Sequence, residues 1–317
     1  MCNTIMGLCG NIGNYLRGGA QGTVEDFRLN QYGYEIHNKV IGSGSFSQIK
    51  RATKNGEPVA VKIIDRDKHP EIFEEKYVFR EISILRKIRH KNIVEILEIV
   101  EYSPKVFIFM ELIDGPNLRE YICDNGLMEE DMVRKFFQQL VDVFEYLHKK
   151  GISHRDLKPE NVMIHQEVEV KVIDFGFSVQ QGASEDMSLT NWGRSPYTAP
   201  EVSQSTYDPL AFDIWSLGGV LFFMAAGEAP FLSSSSETLI QEQRSKAISY
   251  PSTCKLSTTL KELINGMLEP NVIERLTIDE ISRSDWVRKN ESVSSISSEE
   301  TDIVQDIAEM KFELQES

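Results

Sequence analysis

The stretch His154-Arg155-Asp156-Leu157-Lys158-Pro159-Glu160-Asn161 decides how this chain is read. Asp156, Lys158, Glu160 and Asn161 stand within six positions of one another, and Pro159 stiffens the backbone among them. A polar loop of that density needs rigid flanks to hold it. Upstream, Val133, Phe136, Phe137, Leu140, Val141, Phe144 and Leu147 recur at helical spacing, and Gly151 is a stop signal. Downstream, Val168, Val170 and Val172 alternate as a strand does. The side chains of the loop are chemically complementary. A carboxylate at Asp156 accepts a proton from a hydroxyl, the Lys158 ammonium steadies a phosphate, and the Asn161 carbonyl oxygen suits a hard cation.

Outward from that loop, the alternating strand runs into Asp174-Phe175-Gly176, which places a second carboxylate at a strand end. Far upstream, Val59-Ala60-Val61-Lys62-Ile63-Ile64 reads as a strand with Val59, Val61 and Ile63 on one face and Ala60, Lys62 and Ile64 on the other. A lysine in so apolar a run must reach a cleft or a partner, because an unpaired buried charge is costly. The helical stripe expected over Phe73–Arg89 offers that partner, since Glu81 stands beside Val78, Ile82 and Leu85 at i, i+3, i+4 and i+7. Nearer the start, Val40 to Ile49 reads as a hairpin with a glycine-rich bend. Gly42 and Gly44 leave room for phosphate oxygens to approach the backbone.

An HRD followed at these intervals by Lys, Asn and DFG resembles the protein-kinase catalytic core. The resemblance runs from about Tyr34 to Trp286 and implies an α+β bilobal fold. Its small N-lobe (34–110) would be an antiparallel β-sheet with one main helix, its hinge 111–115, and its larger C-lobe (116–286) mostly helical. Residues 1–33, rich in Gly and Asn, are expected to be a disordered leader. Residues 287–317 are expected to be a Ser-rich acidic tail in which Ile303, Val304, Ile307 and Met310 make a short amphipathic stripe.

By the same resemblance ATP lies against Ile41-Gly42-Ser43-Gly44-Ser45-Phe46-Ser47-Gln48-Ile49, Ala60, Lys62, Glu81 and Met163. Met110 takes the gatekeeper position, and the Glu111 carbonyl and Ile113 amide bond the adenine. Asn161 and Asp174 would hold Mg²⁺, while Asp156, Lys158 and Lys62 carry the catalysis. The 177–199 segment, closed by Ala199-Pro200-Glu201, would be an activation loop with Thr190 as its phosphorylation site for an upstream activating kinase and Arg155 as the phosphate's partner. Glu201 would pair with Arg275, and Asp213 would accept amides of the 154–161 loop or cap its own helix. Lys158 implies Ser/Thr hydroxyls of protein substrates as acceptors. Glu160 would attract a basic residue of the target, although Asn117 stands where a second carboxylate often follows the hinge.

Two positions depart from the family pattern. Ser47 replaces the third glycine of the bend, and Arg194 stands where Ser or Thr is usual, with Ser195 displaced by one. They favour the alternative of a pseudokinase scaffold; retention of Lys62, Glu81, Asp156, Asn161 and Asp174 favours the enzyme. Within the calcium/calmodulin- and AMP-activated-like group, Ala60-Val61-Lys62-Ile63-Ile64-Asp65-Arg66 is most similar to the testis-specific serine/threonine kinases, which implies a role in spermatogenesis.

Composition sets outer bounds. At 317 residues, 41% of them hydrophobic, the chain is ample for a large core. A net charge of −15 argues against nucleic acid as a partner. Cys2, Cys9, Cys123 and Cys254 lack metal or disulfide spacing, so a reducing, cytoplasmic (or nuclear) location is expected. No apolar run is expected to span a membrane.

Overall fold

The computed structural model describes residues 29–44, 47–68, 76–182, 195–203, 207–252 and 254–289. Thr190, Arg194, Ser45, Phe46, the leader up to residue 28 and the tail from residue 290 lie outside the described residues.

Five strands build the smaller lobe: β1 (Tyr34–Ser43), β2 (Ser47–Lys54), β3 (Glu57–Asp65), β4 (Ile96–Tyr102) and β5 (Lys105–Glu111). They form one antiparallel sheet in the order β1-β2-β3-β5-β4, so β3 is central. Its alternation divides two cores. Val59 and Val61 pack with Phe107 and Phe109 on one face, where Tyr34 stacks on Phe109, while Ile64 turns to the main core. Lys62, flanked in register by Ile49 and Ile108, shares the second face.

The lobe's helix α1 (Lys76–Leu85) buries Val78, Ile82 and Leu85. It ends before the expected Arg89. The last turn tightens where the Lys87 amide donates to the Ile84 carbonyl at 2.8 Å, and the chain then turns to bury Ile88. At the other boundary, packing begins before residue 34. Leu29 is buried in the sheet's core cluster, and the Asn55 amide donates to the Gly33 carbonyl at 2.8 Å.

The larger lobe holds α2 (Leu118–Asn125), α3 (Glu130–Lys149), α4 (Pro209–Ala226), α5 (Ser236–Arg244), α6 (Thr258–Met267), α7 (Ile278–Arg283) and α8 (Asp285–Arg288). Two small antiparallel sheets face the cleft: β6 (Ile152–Ser153) with β9 (Val179–Gln180), and β7 (Val162–His165) with β8 (Glu169–Val172). This is the expected α+β bilobal architecture. Val168 is a local exception to the expected alternation. It is 70% exposed, because the turn before β8 carries positive φ at Gln166 and Glu167 and releases it from the strand.

Helix α4 is the axle of this lobe. Asp208 caps it through the Leu210 amide at 2.9 Å, Pro209 opens it, and Gly227 closes it in the left-handed region at φ 75°. It therefore starts four residues before Asp213, where the sequence suggested a start. Helix α4 is long and apolar enough to cross a membrane by length and composition alone, but 83% of it is buried within this lobe, as a core helix would be. The far end of the lobe is fixed by Trp286. Its indole donates to Glu130 Oε1 at 2.8 Å, and Arg134 lies over its ring while donating to its carbonyl at 2.9 Å.

Candidate active site

β3 and α1 deliver the first cluster. Lys62 Nζ lies 2.8 Å from Glu81 Oε1 and 2.8 Å from Asp174 Oδ1. Glu81 was the expected partner; the direct contact with Asp174 was not foreseen. Lys62 and Glu81 are 9% and 6% exposed, whereas the Asp174 side chain keeps 36% of its surface open to the cleft. Burial opposes the charge on Lys62, but Asp174 and Glu81 outweigh it and hold the ammonium well above the ordinary lysine range. Burial also opposes ionisation of Asp174, yet Lys62 prevails, and with the Gly176 amide it brings the carboxyl down to about 2.

The second cluster stands on the 154–161 loop. Lys158 Nζ donates to Asp156 Oδ2 at 2.7 Å, and Asn161 Nδ2 donates to the Asp156 carbonyl at 2.7 Å and to Oδ2 at 2.9 Å. Burial raises the Asp156 pKa above the usual carboxylate value, and Lys158 offsets part of the rise. The two clusters share one cleft. The Ile173 amide donates to the Asn161 carbonyl at 3.0 Å, and His154 Nε2 lies 3.1 Å from the Ile173 carbonyl. The residue before Asp174 is thus tied to both ends of the loop. Phe175, 1% exposed, stacks edge-on against His154 and belongs to the same core cluster as Ile82 and Leu85 of α1.

Asp213 holds the loop from below. It is fully buried, and its Oδ2 and Oδ1 accept the amides of His154 and Arg155, each at 2.9 Å, with His148 Nε2 at 3.1 Å. Of the two roles open to Asp213, the structure selects the loop-holding one; Asp208 is the cap. Arg155 and Asp174 both take positive φ, at 63° and 62°. For non-glycine residues this is an uncommon conformation, tolerated where surrounding bonds enforce it.

The residues present fit a magnesium ion. The Asn161 amide group is spent on Asp156, so its carbonyl oxygen is the end left for a cation, and Asp174 has a second carboxylate oxygen facing the cleft. Magnesium keeps several waters and needs only one or two protein carboxylates, so the lack of a three-ligand His/Cys/Asp/Glu group among the described residues is no obstacle.

The wall above is formed by the glycine-rich bend and the strand ends. The Gly44 amide donates to the Ser47 carbonyl at 2.9 Å, and a Cβ on Gly44 would meet Ser47 Oγ at 2.9 Å. Ser47 thus closes the bend, and a side chain at position 44 would require its hydroxyl to rotate away. Gly42 pairs with Ile49 and Ala60 with Met110, setting these four expected nucleotide neighbours on adjoining strands. Glu111 is tied down by Lys171 at 3.0 Å and accepts the Glu95 amide at 2.8 Å. Below it, Met163 on β7 bridges to Asn117.

A family model described as the protein kinase domain matches residues 34–287. The chain belongs to the protein kinase family. Similar proteins include CBL-interacting serine/threonine-protein kinase 9 of Arabidopsis thaliana, 37% identical over 88% of this chain and 63% of its own length. CBL-interacting protein kinase 32 of Oryza sativa subsp. japonica is also 37% identical, over 81% of this chain and 59% of its own. Testis-specific serine/threonine-protein kinase 1 of Mus musculus is 40% identical over 78% of this chain and 70% of its own. The chain therefore spans about six-tenths of the length of the plant relatives it matches.

The remaining features of this kinase domain concern the 195–203 segment and the residues around the 154–161 loop. Arg275 clasps Glu201 with two parallel bonds of 2.6 and 3.0 Å, both side chains buried, as the sequence indicated. Ser195 Oγ is engaged by Thr198 at 3.2 Å and by the Tyr197 amide at 3.2 Å, and among the described residues it makes no bond to Asp156 or Lys158. Arg155 donates to the Phe177 carbonyl at 2.7 Å and to the Tyr207 hydroxyl at 3.0 Å. Glu160 has a partner that periodicity could not reveal: Arg119 Nε donates to its Oε1 at 2.5 Å.

Proposed function

We propose that this chain is an active protein serine/threonine kinase that transfers the γ-phosphoryl group of Mg·ATP to Ser or Thr hydroxyls of protein substrates. The observation that carries the reading is the convergence of Lys62, Glu81 and Asp174 with Asp156, Lys158 and Asn161 on one cleft. Mg·ATP, when bound, supplies the phosphoryl group and neutralises its developing charge. Asp156, held by Asn161, orients the acceptor hydroxyl and takes its proton. Lys158, beside Asp156, balances charge on the transferred group. Lys62, fixed by Glu81, would steady the α- and β-phosphates, and Asn161 and Asp174 would hold the metal. Positioning and electrostatics of this kind supply most of the rate in the class.

The raised pKa of Asp156 suits this role, because a base near its working pH drives proton transfer better than a strong acid's anion. Phosphorylation of Thr190 by an upstream kinase would add charge beside Arg155 and order the loop, raising turnover. The Thr190→Ala variant, compared with wild type after treatment with a Ser/Thr phosphatase, tests that step: phosphatase should slow the wild type and leave the variant unchanged. For subgroup, the identity to the mouse testis-specific kinase supports the calcium/calmodulin- and AMP-activated-like placement, and the similarly strong match to plant kinases leaves tissue to be established by expression.

The test is incubation of the full chain with Mg·ATP and a mixed Ser/Thr peptide library. Phosphopeptides, absent with Asp156→Asn, bear the reading out. Nucleotide binding without any phosphopeptide would make the chain a pseudokinase.

A further inference from the structure

Arg119 is fixed in place before any substrate arrives. The side chain of Asn117 accepts the Glu120 amide at 3.0 Å, and Glu120 returns a bond to the Asn117 amide at 3.0 Å. This reciprocal cap sets the first turn of α2 and aims Arg119 across the cleft floor. Its guanidinium lies 4.9 Å from the Phe223 ring centroid of α4, its Nη2 is 3.4 Å from the Tyr197 hydroxyl, and its Nε holds Glu160 Oε1. Three separate segments thus hold one cation. Asn117, the other group near this wall, is neutral and spent on the cap.

Glu160 lies four residues beyond Asp156 on the same loop, between α2 and the 195–203 segment. The residues flanking a hydroxyl brought to Asp156 advance about 3.3 Å each in an extended chain, so a side chain a few positions away comes within reach of Glu160. Glu160 Oε2 is buried and has no hydrogen-bond partner among the described residues, so the carboxylate is only half satisfied. Its other oxygen, Oε1, is the one that Arg119 holds, in a side chain 40% exposed.

We infer that Arg119 determines peptide specificity by occupying the Glu160 carboxylate, so that this groove does not select a basic residue where the bare carboxylate would. The inference rests on the kinase reading above. A substrate arginine that takes over the Glu160 oxygen must compete with an arginine already tethered to the same protein. The exchange replaces one bidentate-capable cation with another and gains almost nothing, while the tethered one has the advantage of high effective concentration. Arg119 touches no reacting atom, so it acts as a positioning residue.

The test uses full-length protein and peptides in which each position flanking a fixed Ser is set in turn to Arg, Lys, Ala or Glu. In wild type the Arg/Ala ratio of kcat/KM should stay within about 2-fold at every position, as expected for an exchange of equivalent cations. Arg119→Gln should raise the ratio at one position to about 10-fold, carried by KM, as for a gained charge-assisted bond of about 1.4 kcal/mol. Arg119→Lys should restore the flat profile, and Arg119→Gln combined with Glu160→Gln should abolish the new preference. A purely structural role would lower kcat on all peptides alike. The inference is overturned if wild type already selects Arg, if Arg119→Gln stays flat while turning over, or if the double variant keeps the preference. Loss of all turnover in wild type would remove the kinase reading instead.

Discussion

Lys62 and Asp174 are 112 residues apart in the chain and 2.8 Å apart in space. One ammonium therefore faces two carboxylates, Asp174 and Glu81, and couples β3, α1 and the end of the β8 strand through a single atom. A mutually paired buried charge can be retained; a lone one is costly. The arrangement explains why the Lys62 charge is held so firmly despite burial.

Lys62→Met should reduce phosphoryl transfer at least about 100-fold, because it removes a preorganised cation from the phosphate path. It leaves Glu81 buried without its cation. The cost should approach the lower end of the roughly 3–5 kcal/mol seen for broken buried pairs, since Asp174 is partly open to water. Domains of this kind carry about 5–15 kcal/mol, so the variant should stay folded. Turnover within about 3-fold of wild type, in a variant whose circular dichroism is native, would contradict the assignment.

The pH profile should separate Asp156 from Asp174. Asp174 has a depressed pKa, so the stability it contributes is present above the unfolded carboxylate value near 3.9 and is lost only as pH falls toward about 2. It is ionised across the working range and sets no limb of the activity profile. Asp156 is the reverse case. Its raised pKa makes the folded state bind a proton more readily, so folding stability falls as pH rises from the ordinary carboxylate value through the Asp156 value. The acid limb of kcat/KM should report Asp156. Lys158→Met removes a group that lowers that pKa, so the limb should move to higher pH. A stationary or falling limb in a kcat/KM-against-pH series would refute the assignment.

Much of this site was legible because the chemistry lies in short, dense runs. Asp156, Lys158 and Asn161 are neighbours in sequence, and Lys62 and Glu81 betray themselves as charges in apolar stripes. Both signals are local. The Lys62–Asp174 contact and the Arg119–Glu160 pair join residues 112 and 41 apart, and no periodicity encodes a pairing between separate elements. Local signals were also misread in two places. Asp208-Pro209 is a cap followed by a first-turn proline, yet the helix was expected to start at the next acidic residue, Asp213. Val168 matched the strand alternation but fell on a turn, because backbone conformation at Gln166 and Glu167 overrode the pattern.

Arg275→Ala should destabilise the larger lobe by about 3–5 kcal/mol, because Glu201 is left buried without its cation. In a domain of this size that lowers Tm by roughly 10 °C. The arginine also donates to the Ala211 carbonyl at 2.8 Å and the Glu269 carbonyl at 2.8 Å, so two acceptors lose their donor as well. Glu201→Gln should cost less, since a carboxamide still accepts one of the two bonds. Denaturant titrations of both variants give the ranking; equal stability of Arg275→Ala and wild type would show the clasp to be energetically idle.

Two glycines, one in the hinge and one just after α2, make a matched comparison. Gly115 has φ +153°, and a Cβ there would lie 1.9 Å from the Ile164 carbonyl oxygen, a backbone atom of β7 that cannot step aside alone. Gly126, at the end of α2, has φ +81° and open space for a Cβ. Gly126→Ala should therefore cost only the backbone strain of its φ 81°, ψ −165° conformation, about 1–3 kcal/mol. Gly115→Ala must push the hinge off β7, disturbing the Ile164 amide bond to the Pro116 carbonyl at 2.9 Å and the bridge between Asn117 and Met163. Its cost should exceed that of Gly126→Ala by more than about 2 kcal/mol. It should also raise KM for ATP, because Met163 and the Glu111–Ile113 backbone move together. Equilibrium unfolding and ATP titration of the two variants decide the matter, and equal losses in both would mean that the close approach of hinge and strand carries no weight.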